Sequence, residues 1–138
     1  MSQYSDLPAF ADLDEEMIDA ILGESAKFAE EVLAPLNRVG DEHGCIRNND
    51  GSVTTPPGFK EAYTQMRENG WVGLSADPTY GGQGLPGILG MATAEMSSSA
   101  NMAFGMYPGL TNGAAKAISI GGSDTQKELY LPRMYSGE

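Results

Sequence analysis

The sequence predicts an all-α domain, an orthogonal or antiparallel bundle of about five helices. Three observations carry that expectation. Five segments repeat their apolar residues at helical spacing. The links between them are short and built from Gly, Pro, Asn and Ser. No stretch alternates apolar and polar residues as a half-buried strand would, apart from the surroundings of Asp50.

The first helix is expected over Asp12 to Val39. Met17, Ile18, Ile21, Leu22, Phe28, Ala29, Val32, Leu33 and Leu36 form one apolar face. Asp12 with Glu15 resembles a capping box, and Asp14, Glu15 and Glu16 put negative charge on the positive helix end. Pro35 has no N–H for the carbonyl of Glu31, so a kink is expected there. Asp19, Glu24, Lys27, Glu30 and Glu31 make the solvated face. Gly40 to Thr55 is polar, and Asn49-Asp50-Gly51 supplies the chemistry of a tight hairpin.

Thr55-Pro56-Pro57 is expected to open the second helix, with Phe59, Ala62, Tyr63 and Met66 as its buried stripe and Asn69-Gly70 as its left-handed stop. Trp71-Val72-Gly73-Leu74 follows as an apolar plug, and Asp77 to Gly87 as a loop. The third helix spans about Pro86 to Ser98. Ile88, Leu89, Met91, Ala92 and Met96 are its apolar residues, with Glu95 at the buried edge. The fourth starts near Pro108 and runs to about Ile120. Its small face of Leu110, Gly113, Ala114, Ala117 and Ile118 would let another helix approach closely. Gly121-Gly122 ends it. Ser123 and Gln126 then match the capping box of a fifth helix, with Leu129, Leu131, Met134 and Tyr135 apolar and a kink at Pro132.

A length of 138 residues suits one domain. An apolar fraction of 41% makes it globular. A net charge of −11 argues against nucleic acid and anionic membrane surfaces as partners. The single cysteine, Cys45, allows no internal disulfide and fits a reducing cytoplasm. MSQYSDLPAF has neither the basic nor the apolar part of a signal peptide.

Met96 to Ala115 is the unusual stretch: twenty residues without Asp, Glu, Lys or Arg in a chain that is 20% charged. Three serines, two asparagines, three glycines and Pro108 make it too polar for a membrane span. It reads instead as a helix end, a loop and a helix start facing apolar surroundings. With Met and aromatic residues inside it, it is either a wall for an apolar ligand or an ordinary buried loop.

Gly82-Gln83-Gly84-Leu85-Pro86-Gly87 matches G-x-G-x-x-G, but no strand leads into it, so it reads as a tight turn and not as a nucleotide cradle. Asp41, Glu42, His43 and Cys45 lack the spacing of a zinc site. Asn48-Asn49-Asp50-Gly51 would put Ile46 at the first position of a calcium loop. No metal is expected. The serines at 97 to 99 have no histidine nearby, so no nucleophile with a base appears and no catalytic residue is assigned to this chain.

Five short words in order resemble the amino-terminal helical domain of the acyl-CoA dehydrogenase family. They are FAEEVLAP at Phe28 to Pro35, GWVGL at Gly70 to Leu74, PTYGGQG at Pro78 to Gly84, the helix holding Glu95, and GSDTQK at Gly122 to Lys127 leading to Tyr130-Leu131-Pro132. The wording of ADPTYGGQG and SSANMAFGMYPGL is similar to the long bacterial branch that includes 3-methylmercaptopropionyl-CoA dehydrogenase.

The resemblance implies that residues 1–138 are one helical domain excised from a three-domain flavoenzyme that is a homo-oligomer in full-length form. It implies FAD held by the middle and carboxy-terminal domains, with none on this piece, and an acyl-CoA thioester as substrate. The family's catalytic glutamate would lie beyond Glu138. It further implies that Met102, Phe104, Tyr107 and Leu110 wall one side of the acyl pocket. On this reading the piece alone is inactive, and the Met96 to Leu110 region is partly exposed, disordered or covered by a second copy. Two alternatives remain: a free-standing acidic interaction module, and the same domain of an acyl-CoA oxidase.

Overall fold

A computed structural model describes residue 10 and residues 13–138. Asp12 and most of MSQYSDLPAF, and with them the proposed Asp12 cap, lie outside the described residues. Among the described residues the fold is all-α, with one two-stranded hairpin. Its helices are α1 (Glu15–Lys27), α2 (Ala34–His43), α3 (Phe59–Glu68), α4 (Gly87–Ala100), α5 (Met102–Gly121) and α6 (Asp124–Ser136).

α1 begins on Asp14, whose carboxylate accepts the Met17 N–H at 2.8 Å. It runs without a break through a π-helical segment (Phe28–Leu33) into α2. The expected disturbance at Pro35 therefore takes the form of a widened turn just before the proline. There the Ala34 N–H reaches back five residues to the Ala29 carbonyl. The widened turn also shifts the helix face, so Phe28, Ala29 and Leu33 are all buried.

The hairpin forms as expected: β1 (Ile46–Arg47) pairs antiparallel with β2 (Val53–Thr54), Ile46 opposite Thr54. Asp50 holds the turn by accepting from the N–H and hydroxyl of Ser52, at 2.9 and 2.7 Å. Asn48 donates to Ser52 and Thr54.

α3 starts at Phe59, after Gly58 at φ 82°, and not at Thr55-Pro56-Pro57. A left-handed turn precedes the first helical residue, which leaves both prolines upstream. The stop at Gly70 (φ 74°) is as expected. The plug becomes a 3-10 turn (Trp71–Gly73) that buries Val72, with Leu74 buried just after it.

The core has two parts. One gathers Phe28, Leu33, Phe59, Ala62, Met66, Val72 and Phe104; the other Ile18, Leu74 and Leu89. Trp71 packs against both. α4 packs on α1 and α5, and α5 on α6. α6 carries the predicted capping box: Gln126 Oε1 accepts from the Ser123 N–H at 2.8 Å, and Ser123 Oγ from the Gln126 N–H at 3.3 Å. Of its predicted apolar residues, Leu131 is buried and Leu129 is exposed; the helix continues through Pro132.

Three expectations about the uncharged stretch are corrected. There is no loop between the third and fourth helices: Asn101 alone separates α4 from α5. The fourth helix starts at Met102, so Pro108 is interior. Its small face of Leu110, Gly113, Ala114 and Ala117 is exposed, and the buried side is Phe104, Pro108 and Ala115. Phe104, whose ring packs against Phe59 of the core, buries more apolar area than the small residues of the other side and turns its own face inward. Glu95 is likewise in solvent and not at a buried edge.

Candidate functional site

The candidate surface is built on α5, and Asn101 sets where α5 begins. Asn101 is 1% exposed. Its Oδ1 accepts the Phe104 N–H at 3.0 Å, satisfying a first-turn amide that has no helical partner. Its Nδ2 donates to the carbonyl of Leu33 at 3.2 Å, where the π-helical segment gives way to α2. One side chain thus fixes α5 against the long first helix.

From that start, Met102, Met106 and Leu110 fall four residues apart on one stripe, 67%, 63% and 80% exposed. Tyr107 is 42% exposed beside it. Phe104 is 0% exposed and lies in the core. The predicted wall residues are therefore split. Met102, Tyr107 and Leu110 reach the surface, while Phe104 supports Tyr107 from below at 5.9 Å between ring centroids. Phe59 and Tyr63 stand edge-on to Tyr107 at 6.3 and 6.5 Å. Such tilted contacts suit the quadrupoles of the rings and hold Tyr107 in one place. Burial pushes the Tyr107 hydroxyl above its ordinary pKa, and the neighbouring Cys45 adds to the shift. The uncharged stretch is partly exposed, as expected: Met102, Met106, Tyr107 and Leu110 face solvent, whereas Ser97, Asn101, Phe104, Pro108 and Ala115 are buried.

A concavity lies on the adjacent side of α5. It is a cleft of about 780 Å³ between α4 and α5, floored by the segment from Trp71 to Ala76. Gly105, Pro108, Gly109 and Asn112 of α5 line it; Met102, Phe104, Tyr107 and Leu110 do not.

The glycine-rich segment is a packed turn. The N–H groups of Gly82, Gln83, Gly84 and Leu85 donate to the carbonyls of Asp77, Gly73, Ala76 and Leu74. No amide of that row is left to cradle a phosphate, so the segment does not fit the pyrophosphate of a dinucleotide such as FAD. A Cβ on Gly82 would overlap the backbone of Ala76, which explains that glycine.

Two of the four residues weighed as a metal site are otherwise engaged. His43 Nδ1 donates to its own helix at Val39, 3.0 Å away, and Glu42 accepts from Arg38 at 2.7 Å. Among the described residues no group of three His, Cys, Asp or Glu side chains converges, and no helix is long and apolar enough to cross a membrane.

Asn101 was not singled out in the sequence. The signal was there: Asn is a preferred cap, and it stands directly between a helix-compatible Ser-rich run and an apolar one.

Residues 15–138 match the family described as acyl-CoA dehydrogenase, N-terminal domain. The 3-methylmercaptopropionyl-CoA dehydrogenase of Ruegeria pomeroyi is 42% identical over 135 residues, 98% of this chain and 23% of that protein. A butyryl-CoA dehydrogenase of Syntrophomonas wolfei is 36% identical over 88% of this chain and 20% of its own length. The mitochondrial isovaleryl-CoA dehydrogenase of Bos taurus is 32% identical over 82% of this chain and 24% of its own. The chain thus spans less than a quarter of the length of these relatives. A solved chain from work on the electron transferring flavoprotein of Acidaminococcus fermentans and flavin-based electron bifurcation aligns at a TM-score of 0.67. It is 26% identical, covering 91% of this chain and 30% of that one.

Proposed function

The chain belongs to the acyl-CoA dehydrogenase family, and on that premise we propose that it is the amino-terminal helical domain of a longer FAD-dependent enzyme that dehydrogenates an acyl-CoA thioester between its α and β carbons. The family match over residues 15–138 is the observation that carries the reading. In this enzyme FAD supplies the acceptor for the β-hydrogen. The cofactor site and the base that takes the α-proton belong to the middle and carboxy-terminal domains. The full-length protein works as a homo-oligomer in the cytoplasm, where the exposed free thiol of Cys45 persists.

In this reading the chain's own residues shape and dry the acyl pocket. Met102, Tyr107 and Leu110 wall one side of it, and Phe104 fixes Tyr107 from beneath. The exposure of Met102, Met106 and Leu110 supports the reading, because a monomeric domain has no use for an open apolar stripe that nothing covers. Methionine adapts its shape to varied acyl chains, and an uncharged wall keeps water from the reacting carbons.

The test is a chimera in which residues 15–138 replace the matching domain of the Ruegeria pomeroyi relative, assayed by acyl-CoA-dependent dye reduction. Turnover is expected, and Leu110→Trp is expected to raise KM for longer acyl chains while leaving the flavin content unchanged. A flavin-loaded chimera that reduces no dye with any acyl-CoA overturns the functional reading. An unchanged chain-length profile for Leu110→Trp overturns the wall assignment. Oxygen as sole acceptor separates a dehydrogenase from an oxidase in the same assay.

A further inference from the structure

Three rings surround Tyr107, and one of them is held differently from the other two. Phe59 and Phe104 are buried in the core, where close packing fixes their rings. Tyr63 is only half-buried and packs against the margin of that core. A half-buried ring keeps free space on its solvent side, so packing alone does not fix its torsions. A hydrogen bond does: the Tyr63 hydroxyl donates to the carbonyl of Gly137 at 3.1 Å, across 74 residues of chain.

The acceptor belongs to a closed helix end. Gly137 terminates α6 in the left-handed conformation, at φ 76°, and is buried. The Glu138 N–H returns to the Arg133 carbonyl at 3.0 Å and the Gly137 N–H to that of Met134 at 3.3 Å. A Cβ on Gly137 would meet the Arg67 side chain at 2.7 Å and Val72 at 3.2 Å, so this turn lies tightly on α3 and the plug. Arg67 Nε donates to the neighbouring carbonyl, that of Ser136, at 3.1 Å. Tyr63 and Arg67, one turn apart on α3, thus clasp adjacent carbonyls at the end of α6. Of the two, it is Tyr63 that stands against Tyr107, with 6.5 Å between ring centroids and 74° between planes.

We propose that Tyr63 is a positioning residue, whose hydroxyl, anchored on the end of α6, fixes the Tyr107 ring and with it the shape of the exposed apolar face of α5. Its consequence for turnover rests on the wall reading of Tyr107; the anchoring itself does not.

Three variants separate the anchor from general loosening. Tyr63→Phe keeps the ring and removes the bond, and Tyr63→Leu removes both. Arg67→Met removes the neighbouring bond to the same helix end. In the 138-residue chain with labelled tyrosine and phenylalanine, NMR reads the nuclear Overhauser contact between the rings at 63 and 107. Wild type is expected to show it, Tyr63→Phe to lose most of it, and Arg67→Met to keep it. The ring-proton shifts of Tyr107 are expected to move in Tyr63→Phe, further in Tyr63→Leu, and little in Arg67→Met. In the chimera, Tyr63→Phe is expected to raise KM for longer acyl chains about threefold, the scale of one aromatic contact, with kcat held. A wild-type chain without the contact, a contact retained in Tyr63→Phe, or an equal loss in Arg67→Met overturns the proposal. A lost contact with an unchanged KM profile supports the anchor and counts against the wall reading instead.

Discussion

Asn101→Ala removes two hydrogen bonds at once, both made by a buried side chain. The cap on the Phe104 N–H at 3.0 Å is lost, and loss of an Asn cap costs about 0.5–2 kcal/mol. The donor to the Leu33 carbonyl at 3.2 Å is lost too, worth about 0.5–1.5 kcal/mol for a neutral bond. Because Asn101 is 1% exposed, water replaces neither, which places the sum toward the upper end, about 2–3 kcal/mol. For a domain of this size that lowers Tm by roughly 6–15 °C. Thermal unfolding of the chain followed by far-ultraviolet circular dichroism measures it. Asn101→Ser keeps a capping oxygen without the amide donor and is expected to fall between wild type and Asn101→Ala. If Asn101→Ala lowers stability by less than about 0.5 kcal/mol, Asn101 does not tie α5 to the first helix as described.

Two other perturbations test separate parts of the molecule. Gly82→Ala drives a Cβ into the backbone of Ala76 and is expected to cost about 1–3 kcal/mol by overpacking, seen as a lower urea midpoint at unchanged m-value; an unchanged midpoint contradicts the packed-turn account. Tyr107 titrates above the ordinary tyrosine value, chiefly because burial disfavours the phenolate and secondarily because of Cys45. Its stabilising effect is therefore fully present below the unfolded value of about 10 and is lost as pH rises through the raised folded value. An absorbance titration at the tyrosinate band should show a late component that Tyr107→Phe removes.

What was legible in the sequence was local. Helix periodicity, the Ser123–Gln126 box, the Gly70 stop and the Asn49-Asp50-Gly51 turn each depend on residues a few positions apart, so a linear reading contains the whole of their physics. The family resemblance was legible for a similar reason, since short words at fixed spacing survive without coordinates. Proline is ambiguous in a linear reading. The sequence around Pro108 and Pro56-Pro57 predicts helix starts that the structure does not have, because a proline at the first helical position and one inside or before a helix look alike until the flanking turns are seen.

The sequence by itself determined the all-α class, the five helical rods and the kinship of the chain. Only the tertiary structure decided which face of α5 turns inward. Periodicity shows that Met102, Met106 and Leu110 share a stripe, and so do Phe104, Pro108 and Ala115; it cannot rank two apolar stripes on one helix. Phe59 and the Asn101–Leu33 bond settle that choice, through partners 45 and 68 residues away in the chain. Their long-range contacts bury Phe104 and leave the methionine stripe open.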